Sequence, residues 1–515
     1  MLLVLAVFIA FKIPHLFYAY YWDESWPYVP AILEMFRNGV SLLPTAIDAE
    51  LSRGHPLFFH AAGALWIHIF GSSHVAMHSF ALLISVLFLI VIFEACLRLF
   101  NVRVAVISLL LVVTQELFFV QSSFVLFEIL VAFLAFSSIF LYVRGRYLPA
   151  FLCLTMLFYT KESGLVVGAV LGIDSIFNLF NKDEAIKLRW FRLASVAGAC
   201  AMIGVFFLLQ KLTRGWYVFP LYTDTLLFHW NDFWFRFRMN SIRDTFDQNS
   251  QYRVFVGLLL LAVVAAVKNS SYKYLALFLP ALCIYYFVEN VRAESLAPGY
   301  KAFILFACGS IFFLLVYSTR SLFAHKQQRR FILLSGIFIL LFLNFSTLAY
   351  FSSRYLVVAI IPVLVLTAIF FDMLLNNTYK ALYYPLLLLI VATGYNSFKH
   401  STGHGDIRLG AFKALTVQQR IVQYMEDNNY YGKKIYSISF LTREHLADPA
   451  TGFLKSATVF PFVSTSLGTD TDFAIFDNIE ADENYDRFRR DSSMKLIYRT
   501  QEGDVWSEIY QKAYE

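Results

Sequence analysis

Charge is what this sequence has least of. Asp, Glu, Lys and Arg fill 15% of the 515 positions, where about 25% is usual for a soluble globular domain. With 59% of the residues hydrophobic, a single soluble globule would have too little polar surface. The composition excludes that class and points to a membrane protein. Cysteine is sparse too. Cys96, Cys153, Cys200, Cys283 and Cys308 all sit in apolar runs and form no CxxC pair, so neither a disulfide framework nor a cysteine metal site is indicated. They read as small buried hydrophobes. A Walker loop, GxGxxG, HExxH and GxSxG are missing, which argues against nucleotide-driven pumps and membrane zinc proteases. There is no internal repeat, and no basic stretch interleaved with aromatics, so nucleic acid is not an expected partner.

The charge that is present is unevenly placed. Thirty-one charged residues lie in the last 118 positions, from Phe398 to Glu515, and the first 397 carry only 47. Two parts follow: a hydrophobic body over 1–397 and a hydrophilic module over 398–515. The body holds 28 basic and 19 acidic residues, an excess suited to anionic headgroups and lipid phosphates.

A helical span needs about 20 apolar residues. Thirteen candidates are read, at 1–20, 75–98, 104–121, 123–143, 147–162, 164–180, 193–212, 253–268, 272–290, 299–318, 331–350, 355–375 and 381–397. The first can serve as an uncleaved anchor, so no cleaved signal peptide is needed. Lys and Arg cluster in alternate connections, around Arg98, Arg144, Lys182, Lys268, Lys326 and Lys380, and those belong on the cytoplasmic side. The N-terminus is then inside and the C-terminal module outside.

Two outer segments are long, Tyr21 to His74 and Thr213 to Tyr252. In the first, Pro27–Asn38 is predicted as an amphipathic helix closed by Gly39. Pro56–Phe70 is predicted as a second, with Pro at its start and Gly71 after its end. At about 22 Å the second is too short for a hydrocarbon core of about 30 Å, so both are placed flat in the outer interface. The tail reads as mixed α/β, with strands at Lys434–Phe440, Asp472–Phe476 and Lys495–Tyr498 and a helix at Val417–Asn428. The fold class is therefore mainly α: a polytopic membrane protein with about 13 spans, two interfacial helices, and a small extracytoplasmic α/β domain.

Several charged residues interrupt this apolar background. Asp23 and Glu24 follow the first span, and an acidic pair there should face a hydrated cavity. They read either as a general base or as favourable charge at a helix N-terminus. Consecutive helical positions point about 100° apart, so only one can aim at a shared centre. Glu128 lies within Phe124-Val-Leu-Phe-Glu-Ile-Leu-Val, where a carboxylate needs a partner or water. Glu116 either shares that need or reaches the interface. Lys161 could hold a lipid-linked phosphate, or pair with Glu162 or snorkel. His55-Pro56 and Arg354-Tyr355 open helices on the outer side, where spare N–H groups favour anions. Arg236, Arg238 and Arg243 are weaker candidates.

The order of Asp23-Glu24, Arg37-Asn38-Gly39, His55-Pro56-Leu57, Ile69-Phe70-Gly71, Glu128-Ile129-Leu130, Thr160-Lys161 and Arg354-Tyr355 resembles the GT-C membrane glycosyltransferases. The branch it is most similar to holds the protein O-mannosyltransferases and lipid A aminoarabinose transferases, and the resemblance covers roughly residues 1–400. It implies an inverting glycosyltransferase that moves a sugar from a polyprenyl-phosphate donor to a hydroxyl acceptor. The acceptor would be a lipid, glycan or protein on the extracytoplasmic side of a bacterial inner membrane. It implies Asp23 as catalytic carboxylate, with Glu24 beside it, and His55, Lys161 and Arg354 at the donor phosphate. Glu128 is carried over as an acceptor or sugar contact, at a position where the family commonly has Asp. The family also has an Arg where this chain reads Gln121-Ser122-Ser123. A divalent metal is compatible with this reading, but no dedicated ligand cluster is present. The alternative is a lipid or oligosaccharide flippase or another transporter, in which intramembrane charges mark a transport path.

Overall fold

In lipid, a backbone can satisfy its own N–H and C=O groups only within a helix or a closed barrel. The computed structural model describes residues 1–223, 323, 325–345, 352–375, 381–468, 470–480, 482–490 and 493–512. Among these, five helices are long and apolar enough to cross a membrane: His74–Leu99, Glu162–Leu179, Ile186–Arg214, Lys326–Phe345 and Ser353–Met373. Four shorter apolar helices accompany them: Phe58–Phe70, Val102–Val113, Glu128–Val143 and Tyr147–Phe158. The protein is an integral membrane protein, mainly helical, with a small C-terminal sheet. The expected spans 253–268, 272–290 and 299–318, and Arg236, Arg238 and Arg243, lie outside the described residues.

Three apolar runs are less regular than their composition suggests. The first helical stretch, Leu2–Phe17, is followed by Trp22–Asn38 at an angle of 65°. The run at 104–121 is two helices, Val102–Val113 and Glu116–Gln121. The run at 123–143 becomes helical only at Glu128. Polar residues mark both breaks: Thr114-Gln115 and Gln121-Ser122-Ser123. The second break frees the Val125 N–H, which donates to Glu24 at 2.5 Å.

The basic connections meet at one end of the bundle. Arg103 pairs with Asp372 at 2.6 Å, Lys326 with Glu184 at 3.0 Å, Arg192 with Glu184 at 2.5 Å, and Arg330 with Asp174. The opposite helix ends carry the first loop, the Tyr159–Gly164 turn, the start of the Ser353–Met373 helix and the tail.

Both helices expected in the first loop are present, at Tyr28–Asn38 and Phe58–Phe70. They pack together because residue 63 is glycine; a Cβ there would come within 2.8 Å of Ile32 Cδ1.

The tail is built on one long helix and a five-stranded sheet. The helix runs Gly410–Asp427, starting seven residues before the expected Val417, because the buried stripe extends back through Ala411, Ala414 and Leu415. Strands β1 (Ile435–Tyr436), β2 (Val463–Ser464), β3 (Phe473–Asp477), β4 (Met494–Glu502) and β5 (Val505–Lys512) are ordered β2-β1-β3-β5-β4. β1 is parallel to β2 and β3, whereas β5 is antiparallel to β3 and β4. The expected strand 434–440 is cut to two residues, since the Ser439 side chain accepts from Thr442 N and caps a helix at Phe440–Ala447. β5 was not expected; it is formed by a hairpin through Gly503 at φ 62°.

The tail is not a detached module. Tyr20 N donates to Thr451 O at 3.0 Å. Gly452, at φ 86°, lies so close to the His74 ring that any Cβ would collide with it. Segment 401–409 is fastened by buried Glu116, which accepts from Ser401 Oγ, from Leu409 N at 3.0 Å and from Arg408 at 3.4 Å. Gln121 Nε2 holds the Asp406 carbonyl at 2.6 Å. Glu116→Ala removes the acceptor of the Leu409 N–H and Ser401 hydroxyl, at roughly 1–3 kcal/mol locally. The expected outcome is faster hydrogen exchange and proteolysis across 401–409, with the bundle helices unchanged.

Candidate active site

The chain reaches the site through a single left-handed residue. Trp22 has φ 48°, a conformation that costs a bulky residue about 1–3 kcal/mol. It opens the short 3₁₀ turn Trp22–Glu24 and sends the two neighbouring carboxylates in opposite directions. Asp23 turns toward Arg354. Glu24 is fully buried elsewhere: it accepts from Tyr21 N at 3.0 Å and from Val125 N, and lies 3.3 Å from His78 Nε2. Glu24, read with Asp23 as a catalytic candidate, thus bonds to the backbone that positions Asp23 and does not share its centre.

Arg354 is the hub. It sits in the 3₁₀ turn Ser353–Leu356 that opens the late span, and its side chain is buried. Its guanidinium donates to Asp23 Oδ2, to Glu128 Oε1 at 3.1 Å and to Asp406 Oδ2 at 2.8 Å. A planar fork with five N–H donors can meet three carboxylates at once, which an ammonium cannot do in one plane. Glu128 begins its helix, so the apolar run behind it fixes its depth. Its second oxygen, Oε2, is buried without a hydrogen-bond partner among the described residues.

Lys161 completes the cluster. Its Nζ lies 3.6 Å from Glu128 Oε1, 3.7 Å from the centroid of Tyr355 and 4.2 Å from that of Phe127. Burial lowers its pKa to about 8, against the upward pull of the Glu128 charge. Burial likewise raises the Asp406 carboxyl, opposed by Arg354. His55 stands beside this group and not within it. Its Nδ1 is 2.9 Å from Glu162 Oε2, and its ring is 5.6 Å from Phe127.

Of the residues singled out by sequence, Asp23, Glu128, Lys161 and Arg354 are brought together, His55 lies at the edge, and Glu24 faces away. Asp406 was missed. Among the described residues, no group of three or more His, Cys, Asp and Glu is arranged to hold a metal ion.

No protein-family model matches the sequence, and no curated protein matches it. Among solved structures, the chain is similar to ArnT from Cupriavidus metallidurans bound to undecaprenyl phosphate. That likeness is at 16% identity and a TM-score of 0.47, over 99% of this chain and 97% of that one. The apo state of the same protein gives 15% identity and a TM-score of 0.41, over 98% and 97%. The chain is also similar to the archaeal oligosaccharyltransferase AglB from Archaeoglobus fulgidus, in complex with an inhibitory peptide and a dolichol-phosphate. There the identity is 12% and the TM-score 0.44, over 89% of this chain and 66% of that one.

Deleting the hub leaves three carboxylates close together without their shared cation. Removing one partner of a buried ion pair costs about 3–5 kcal/mol. Arg354→Leu is therefore expected to lower the thermal unfolding midpoint in detergent clearly. Arg354→Lys recovers only part of that loss.

Proposed function

We propose that this protein is an inverting glycosyltransferase that moves a sugar from a polyprenyl-phosphate donor to a hydroxyl acceptor. The observation that carries the reading is one buried arginine and one buried lysine, sharing carboxylates drawn from distant segments, at a single end of an apolar bundle. Buried charge at membrane depth marks a functional site by default. This combination offers cations for a phosphate and a carboxylate for a proton.

In the proposed cycle the donor phosphate draws Arg354 and Lys161 to its oxygens, and Asp23 is released from the guanidinium. The acceptor hydroxyl oxygen attacks the anomeric carbon from the face opposite the phosphate, and Asp23 takes its proton. The bond between the anomeric carbon and the phosphate oxygen breaks, with its electron pair going to the phosphate. The polyprenyl phosphate leaves with one more negative charge, which Arg354, Lys161 and His55 stabilise electrostatically. Glu128 offers Oε2 to a sugar hydroxyl. Glu24 is a positioning group for the Trp22–Glu24 turn in this scheme.

The same proposal sets the topology. About thirteen spans place the site and residues 398–515 on the extracytoplasmic face of a bacterial inner membrane. The helices Tyr28–Asn38 and Phe58–Phe70 lie flat in the outer interface. A flippase would move such a lipid without breaking the anomeric bond, so product chemistry separates the two readings.

Purified protein with an undecaprenyl-phosphate-linked sugar and a crude envelope acceptor fraction is expected to release undecaprenyl phosphate. Asp23→Asn is expected to slow this roughly 10²–10⁴-fold while the protein stays folded; a variant retaining most of the activity overturns the role of Asp23. Lys161 is charged below about pH 8 and neutral above it, and a bound phosphate raises that value further. Affinity for undecaprenyl phosphate is thus expected to fall as pH climbs through 8. Lys161→Arg, charged throughout, is expected to remove this alkaline limb.

A further inference from the structure

Among the described residues, the ion cluster does not balance. There, Asp23, Glu128 and Asp406 pair with Arg354 and Lys161. With every group ionised, three negative charges meet two positive ones before any ligand arrives. A bound phosphate adds to this deficit, so its own charge decides how well it is tolerated.

Asp406 differs from the other two carboxylates in where it comes from. Asp23 is fixed by the Trp22–Glu24 turn and Glu128 by its helix start. Asp406 lies in the loop that precedes the tail helix. Around this point the loop is held against the bundle by polar contacts, Gln121 on the Asp406 carbonyl, Tyr21 OH on the His404 carbonyl, and Glu116 on Ser401, Arg408 and Leu409, with Ile407 and Leu409 packed on the apolar core beside them. The Asp406 carboxylate takes one edge of the guanidinium at 2.8 Å, an edge that a phosphate oxygen could otherwise occupy.

We infer that Asp406 is a specificity-determining residue, selecting phosphodiester over phosphomonoester at Arg354. The inference rests on the polyprenyl-phosphate reading and deepens it. A sugar-bearing donor is a phosphodiester with one negative charge. The released lipid is a monoester, close to doubly charged at neutral pH because its second pKa is about 6. The extra charge appears as the anomeric bond breaks. A carboxylate held on the same guanidinium then repels the monoester more than the diester. Asp406 thereby favours departure of the product over its retention, without touching the reacting atoms.

The test is equilibrium binding of two probes to the full-length protein in detergent, undecaprenyl phosphate and its synthetic methyl phosphodiester. Asp406→Asn is expected to tighten undecaprenyl phosphate about tenfold and the methyl diester no more than about threefold. It should also increase product inhibition in the transfer assay. Gln121→Ala keeps every charge but frees the Asp406 carbonyl, and it is expected to shift the ratio the same way by a smaller factor. It serves where Asp406→Asn does not fold. A merely structural role weakens both probes alike, so equal changes, no change, or weaker monoester binding overturn the inference. Wild-type protein that binds neither probe overturns the lipid-phosphate reading itself.

Discussion

One guanidinium organises this end of the molecule. Arg354 joins the first loop, the Glu128–Val143 helix, a late span and the tail through three carboxylates. None of those segments adjoins another in the chain. Taking a charge out of water is expensive, and the cost is met only where geometry and hydrogen bonds are good. The buried arginine therefore demands its carboxylates, and the carboxylates demand it. Apolar packing brings the helices together, but it is indifferent to how far each one slides along its neighbour. A planar fork that must meet three acceptors is not, and so the cluster sets the register of the elements around it.

Lys161 is held by different means. It has one carboxylate at 3.6 Å and two aromatic faces, Tyr355 and Phe127. Aromatic faces attract a cation without adding negative charge. They hold the ammonium in place and leave it free to meet an anion. The cluster thus contains one cation saturated with carboxylates and one kept largely in reserve.

Four members of the cluster were legible because each is a charge in apolar surroundings, Glu128 and Arg354 alone and Asp23 and Lys161 each with one charged neighbour. Glu128 inside Phe124–Val131 and Arg354 at the head of a long span are conspicuous for that reason, and so are Lys161 and Asp23. Asp406 was not, because its neighbourhood is hydrophilic and a carboxylate there is ordinary. Its role depends on the tail folding back onto the bundle, which no local pattern announces. Helical geometry says that only one of Asp23 and Glu24 can aim at a shared centre. That it is Asp23 which meets Arg354 follows the left-handed backbone at Trp22, invisible in a residue type that seldom adopts it. The breaks near Gln115 and Ser122 were hidden for a related reason: hydropathy averages over a window and ignores single polar residues. Gln121, at the second of these breaks, reaches the Asp406 backbone.

The late span that carries Arg354 is tied at both ends. At one end the guanidinium is held by its three acids; at the other, Asp372 accepts from Arg103 at 2.6 Å and from Asn101 at 2.7 Å. A rod moored twice can neither rise nor sink through the bilayer without tearing one mooring loose. Any rearrangement that admits a substrate must then come from side chains and from the inserted loop, while the shaft itself serves as a fixed post.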